Sequence, residues 1–225
     1  MVGQLMKGVN IQNPPKPRYT VIWDVEIVLN CLRNFPADDD STLQLLTKKT
    51  AMLLALSTVS RGNELRLLDI SLMSKTDSKL VFFFKERPKN CKGPNLPEPL
   101  EVFASGLDIC PLKTTEAYIK RTNYENRNSQ LFLSTLSPFK PVTSVTIGSW
   151  IKDILKLAGV DVQAFKGHST RSAATSGAAV RGASVQDILH RGQWSSASTW
   201  QRFYNKNISS ENSRFQAALF KKGSN

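Results

Sequence analysis

Hydrophobic positions along the chain fall mostly at helical spacing. Val21, Val25, Val28, Leu29 and Leu32 share one face, with Thr20 as a possible cap and Pro36 as a stop, which predicts a first helix. A second helix is expected after Ser41, with Gln44 as a capping-box partner. Its interior, Met52-Leu53-Leu54-Ala55-Leu56, is apolar nearly all round, so it should lie at the centre of the fold and run towards Arg61. Val- and Phe-rich Lys79–Phe84 and Leu100–Phe103 read as two strands joined by the Lys/Pro/Asn/Gly-rich loop Lys85–Pro99. Leu131–Leu133 is a candidate third strand. Helical spacing then resumes. Pro111 can open a helix over Leu112–Arg121. Another carries Val145, Trp150, Ile151, Ile154 and Leu155 and closes at Gly159. A small-residue helix follows His168 and ends near Gly182. A short one opens at Ser184 with Asp187 and ends near Gly192. Ser196–Asn205 and Ser210–Phe220 read as the last two. The expected class is mainly α with a small antiparallel β-sheet, an α+β fold.

Charge changes this picture from a plain helical domain to one with a polyanionic partner. The 225 residues carry a formal net charge of +12. Between Ala164 and Asn225, nine Lys and Arg stand against Asp187 and Glu211, so more than half of the surplus lies there. Nucleic acid is the first candidate. A membrane is disfavoured, because no apolar run approaches the ~18 residues of a span and no basic amphipathic anchor stands out. Cys31, Cys91 and Cys110 are odd in number and widely spaced, which suits a reduced intracellular protein. Met1–Asn10 lacks the apolar core of a signal peptide, so nucleus or cytoplasm is expected, the nucleus first.

Four features carry candidate chemistry. Arg61-Gly62-Asn63-Glu64-Leu65 follows the apolar helix directly. An Arg at such an edge needs an anion, a ligand or a residue such as Glu64. Gly167-His168-Ser169-Thr170-Arg171 places His168 and Arg171 on one side of a helix start. That is a phosphate receptor or a capped surface helix. Gly192-Gln193-Trp194-Ser195-Ser196 offers an indole N–H, though a lone Trp is more often core. Tyr204, in Trp200-Gln201-Arg202-Phe203-Tyr204-Asn205-Lys206, is an ordinary amphipathic residue unless nearby cations favour its phenolate. No cluster with metal-ligand spacing is seen, and His190 reads as a helix-end residue, so no cofactor and no metal are expected.

Singly these signals are weak, but their order is specific. Arg61, a hairpin Lys, His168-x-x-Arg171, Trp194 and Tyr204 together resemble the catalytic domain of the tyrosine recombinases, the phage-integrase-like enzymes. A sharper likeness is to recombinases of Crypton- and DIRS-type mobile elements. It rests on Arg61-Gly62 with Leu67-Leu68-Asp69-Ile70, Lys140-Pro141-Val142-Thr143, His168-Ser169-Thr170-Arg171, and Trp194-Ser195-Ser196-x-Ser198-Thr199 leading to Phe203-Tyr204. The resemblance implies cleavage and rejoining of double-stranded DNA through a 3′-phosphotyrosine. Arg61 and Arg171 would clamp the scissile phosphate, and His168 and Trp194 would donate to it. Tyr204 would attack phosphorus, and a hairpin Lys would protonate the leaving 5′-oxygen. Lys85 is preferred for that role over Lys89 and Lys92. Ten residues separate Trp194 from Tyr204, one more than in many bacterial members, so the turn before the Tyr helix is expected to differ.

The expected organisation is an N-terminal arm or linker over residues 1–19, a catalytic domain over 20–206 and a tail helix over 207–225. The Pro-rich Asn13–Pro17 excludes a helix in the arm. That arm leaves no room for a separate DNA-clamping domain, so the chain is read as a fragment or a reduced copy. Phe215, Leu219 and Phe220 form a stripe that would either fold back or join a second protomer on DNA. Two competing readings are a catalytically silent DNA-binding module derived from such an enzyme and a type IB topoisomerase-like enzyme.

Overall fold

The computed structural model describes residues 16–88 and 96–209. The elements in chain order are β1 (Val21–Ile22), α1 (Val25–Arg33), α2 (Leu43–Ser57), α3 (Gly62–Arg66), a 3₁₀ turn (Ile70–Leu72), β2 (Met73–Lys75), β3 (Lys79–Phe82), β4 (Leu100–Phe103), α4 (Pro111–Arg121), α5 (Ser144–Leu157), α6 (Ser169–Val180), α7 (Val185–Arg191), α8 (Ala197–Phe203) and β5 (Asn207–Ile208). The fold is mostly helical with a small antiparallel sheet, as the hydrophobic pattern implies. The tail Ser210–Phe220, with Phe215, Leu219 and Phe220, and the loop residues Lys89, Cys91 and Lys92 lie outside the described residues.

Helix α2 is the hub. Ten consecutive or near-consecutive positions from Leu46 to Leu56 are buried, so the helix presents no solvent face over its last three turns. It packs on α3, α4, α5 and α6. Thr47, Thr50 and Thr58 are buried there because each hydroxyl donates back to a carbonyl four residues earlier, at 2.6–2.7 Å. Buried Lys49 is neutralised by Asp38 at 2.7 Å, and the other Asp38 oxygen accepts from Thr114 of α4.

Strands β2, β3 and β4 form an antiparallel sheet with Met73 opposite Phe82 and Phe82 opposite Leu100. Period-2 alternation buries Leu80 and Phe82 of β3 against Leu100 and Val102 of β4. β2 is absent from the sequence expectation because Met73-Ser74-Lys75 has no apolar alternation; it exists by pairing alone. Leu131–Leu133 makes only an isolated bridge, Leu133 to Pro141, rather than a third strand.

The N-terminal boundaries also differ from expectation. Val21 and Ile22 are not helical but pair in parallel with Asn207 and Ile208. The cap of α1 is Asp24, whose carboxylate accepts from the Glu26 N–H, and not Thr20. Thr42 caps α2 by accepting from Leu45, so Gln44 forms no capping box. Arg18 and Tyr19, placed in the arm by composition, pack on the body: Tyr19 lies against Phe165, and its hydroxyl accepts from the Lys166 N–H.

Leu54 is fully buried at the centre of α2. Leu54→Ala should lower the unfolding free energy by about 2–5 kcal/mol, read as a fall in the urea midpoint at unchanged slope.

Candidate active site

The site is organised by a buried guanidinium. Arg171 lies one turn into α6 and is 5% exposed. One terminal nitrogen donates to the Val59 carbonyl at 2.6 Å and the other to the Gly192 carbonyl. Both acceptors are presented by unusual backbone. Val59 has φ +56°, left-handed for a β-branched residue, and Gln193, next to Gly192, has φ +50°. Gly192 is required by contact: a Cβ there would fall 2.0 Å from the Trp194 ring. Burial, followed by repulsion from Arg61, lowers the Arg171 pKa, and Glu64 and Tyr204 act in the opposite direction.

Arg61 stands at the N-cap of α3, where the chain leaves the Val59 turn. Glu64, one turn on, binds it twice: Oε2 accepts from the Arg61 backbone N–H at 2.6 Å and Oε1 from the guanidinium at 2.8 Å. The same carboxylate lies 4.0 Å from Arg171. Two guanidiniums therefore share one carboxylate and leave the pair with a net positive charge. Burial pulls the Arg61 pKa down, but Glu64 and then Tyr204 outweigh it and hold the group above its usual value.

Trp194 and Tyr204 complete the cluster. Their rings pack at 4.7 Å between centroids, and Arg171 lies over both, 4.3 Å from the indole and 5.5 Å from the phenol. Tyr204 is half-buried at the C-cap of α8. These side chains line a cleft of about 790 Å³ whose opposite wall is the base of the β3–β4 hairpin, including Phe84, Pro88 and Leu96.

Arg61, Arg171, Trp194 and Tyr204 are thus brought together. His168 is the N-cap of α6 and, like Lys85, does not line the cleft; it is partly exposed, with its Nε2 3.0 Å from Arg18. Because a guanidinium can only donate, Nε2 accepts there and the neutral ring carries its proton on Nδ1. Burial, then the charges of Arg18 and Arg61, lower the His168 pKa. Lys85 does not line the cleft. It is exposed just beyond β3. Burial pushes the Asp69 carboxyl up, but hydrogen bonds from Ser71 and Ser129, and last the charge of Lys85, outweigh it and hold the group below its usual value. Pro88 and Leu96, which do line the cleft, flank the stretch that contains Lys89 and Lys92. Among the described residues no group of three or more His, Cys, Asp or Glu could hold a metal ion, and no helix is long and apolar enough to cross a membrane.

A model of the phage integrase family matches residues 35–210, which covers every one of these positions except Arg18. The chain belongs to the phage integrase family. Its fold resembles solved members. XerA recombinase superposes with a TM-score of 0.62 at 19% identity, over 96% of this chain and 69% of that one. The XerH site-specific recombinase bound to difH substrate, in a pre-cleavage complex, gives 0.60 at 13% identity, over 92% of this chain and 56% of that one. A lambda integrase dimer bound to a COC' core site gives 0.51 at 13% identity, over 100% and 73%. This phage integrase family chain therefore spans between about half and three quarters of these proteins. No curated protein sequence matches it.

Several residues that shape the site carry no sequence signal. The carbonyls of Val59 and Gly192 are main-chain groups, invisible to any motif. Arg18 stands 150 residues from His168. Trp23 donates its indole N–H to buried Ser169 at 2.8 Å and so anchors the strap carrying Arg18 beside α6. Glu64 was the exception, since its spacing from Arg61 offers an internal partner.

Because its folded pKa is lowered, His168 should be neutral at pH 7 and titrate below the ordinary value of ~6.5 by NMR. The folded state binds fewer protons there than the unfolded one, so His168 contributes stability above pH ~6.5 that is lost as pH falls through the folded midpoint. Arg18→Ala should move the midpoint upward. An unchanged midpoint would remove Arg18 as a cause.

Proposed function

We propose that this chain cleaves and rejoins double-stranded DNA through a 3′-phosphotyrosine formed on Tyr204, in site-specific recombination or integration of mobile DNA. The observation that carries the reading is the convergence of Arg61, Arg171, Trp194 and Tyr204, from four separate stretches, around one cleft in which Arg61 and Arg171 share the single carboxylate of Glu64. A phosphodiester entering it meets two guanidiniums and the indole of Trp194, and His168 is assigned a donor role by the family resemblance. Negative charge grows on the non-bridging oxygens during attack, and fixed donors stabilise it without reorganising. Tyr204 attacks phosphorus, its proton leaves, and the 5′-oxygen departs with a proton from an acid. The phosphotyrosine bond keeps the free energy of the broken phosphodiester, so rejoining needs no nucleotide.

A hairpin lysine supplies that acid in this reading. Lys85 is the preferred candidate, with Lys89 and Lys92 of the same loop as alternatives. The likeness of Arg61-Gly62, His168–Arg171 and Trp194–Thr199 to Crypton- and DIRS-type recombinases supports a mobile-element origin and work in the nucleus. The DNA-bound, in part dimeric, relatives support binding as an oligomer on DNA. In this reading the Phe215, Leu219 and Phe220 stripe of the C-terminal tail joins the protomers.

A second reading has one specific observation in its favour. Both terminal nitrogens of Arg171 already donate to carbonyls and Arg61 donates to Glu64, so these donors are engaged within the fold, although the Arg171 Nε is buried without an acceptor. A silent DNA-binding module would look the same.

Incubation with nicked suicide duplexes carrying a randomised core should give a denaturation-resistant protein–DNA adduct, abolished by Tyr204→Phe. No adduct, with duplex binding intact, would leave the silent module; an adduct persisting in the variant would overturn the nucleophile. In either reading the logarithm of affinity should fall linearly with the logarithm of salt, because phosphate contacts release counterions. A flat dependence would remove DNA as the partner.

A further inference from the structure

The backbone that carries Tyr204 is fastened by one side chain of α6. Helix α8 has seven residues, too few to be stable alone, and Tyr204 follows as its C-cap, where carbonyls lack helical partners. Its N–H and that of Asn205 both turn back to the Trp200 carbonyl, at 2.8 and 2.9 Å. The Tyr204 carbonyl instead accepts from the Ser176 hydroxyl at 3.0 Å. The Ser176 hydroxyl oxygen in turn accepts the Lys206 N–H at 2.9 Å. A serine hydroxyl has one proton to give and lone pairs to receive, so a single buried group closes both ends of the turn. Ser176 is 1% exposed, and water cannot readily substitute for it. Immediately downstream, Asn207 and Ile208 pair with Val21 and Ile22, which continues the restraint.

Ser176 stands on the helix that also carries Arg171. The guanidinium over the phenol and the clasp on the phenol's own backbone are therefore set by one rigid element. We infer that Ser176 is a positioning residue that fixes Tyr204 relative to the Arg61–Arg171 cleft by holding the Tyr204 carbonyl and the Lys206 amide. The inference rests on Tyr204 being the nucleophile. A misplacement of about 1 Å at a reacting group can reduce rate about 10²-fold, so a loose turn would show in the chemistry before it showed in binding. Neighbouring Thr175 is an internal comparison: it is equally buried, but its hydroxyl donates within α6, to the Arg171 carbonyl at 2.9 Å.

The test uses the full chain with 3-fluorotyrosine placed at position 204, and the suicide duplexes above. Ser176→Ala should slow adduct formation on the order of 10²-fold while duplex affinity changes less than about threefold. Ser176→Thr, which keeps the hydroxyl, should restore most of the rate, and Ser176→Cys, a weak donor of similar size, should fall between. The ¹⁹F resonance should shift and broaden in Ser176→Ala and stay put in Thr175→Ala. Wild-type rate in Ser176→Ala, or an unmoved resonance, would overturn the inference. If Ser176→Ala does not fold, a Ser176→Cys variant with unchanged rate and resonance would overturn it equally. If wild type forms no adduct on any duplex, the cleavage reading fails while the ¹⁹F comparison still decides the clasp.

Discussion

A guanidinium that is 5% exposed must find its acceptors within the fold, because leaving such a charge unpaired there would cost several kcal/mol. Arg171 is that group, and much of the architecture answers to it. Its two terminal nitrogens reach carbonyls from opposite sides of the chain, Val59 after α2 and Gly192 after α7. Hydrogen bonds from a charged donor contribute about 1.5–3 kcal/mol each, enough to offset the roughly 1–3 kcal/mol of a strained residue such as Val59 at φ +56°. The left-handed turns at Val59 and Gln193 are thus tied to the guanidinium they serve. In the same way the end of α2, the start of α6 and the end of α7 are drawn to one point.

The electrostatics of the cleft follow from that placement. Two guanidiniums close together need a counter-charge in the unliganded fold, and Glu64 provides one shared carboxylate. One negative group against two positive ones leaves a surplus that a phosphodiester can take up. The aromatic pair Trp194 and Tyr204 packs where Arg171 offers its face, so the cation orders the rings as well as the anion site. His168, at the N-cap of α6 and held by Arg18, is pushed towards its neutral form by partial burial and then by the charges of Arg18 and Arg61.

Much of the fold is legible in the sequence where local chemistry and packing agree. Met52–Leu56 announces a central helix because no face of it is polar, and α2 is buried through that stretch. Ser184 caps α7 by accepting from Asp187, and Gly159 and Gly182 take positive φ after α5 and α6, as their positions imply. Legibility fails where a distant partner decides. Val21 and Ile22 continue the helical period of α1 in sequence, yet they are strand because Asn207 and Ile208 lie beside them. Met73–Lys75 has no pattern of its own and is ordered by Leu80 and Phe82 across the ladder.

Residue identity and order alone determined the mainly helical class, the basic surplus and the resemblance to the family that Arg61, His168, Arg171, Trp194 and Tyr204 carry, because these depend on periodicity, on charge count and on motifs contained within a few residues. The tertiary structure decided which of them share a cleft, and that Glu64 lies between both arginines. It also decided that main-chain carbonyls hold Arg171, and that Arg18 reaches His168 across the fold. The physical reason is that hydrogen bonds to backbone oxygens and contacts between residues 100 or more positions apart are fixed by packing of whole elements. Neither kind of interaction leaves a spacing that a linear pattern can show.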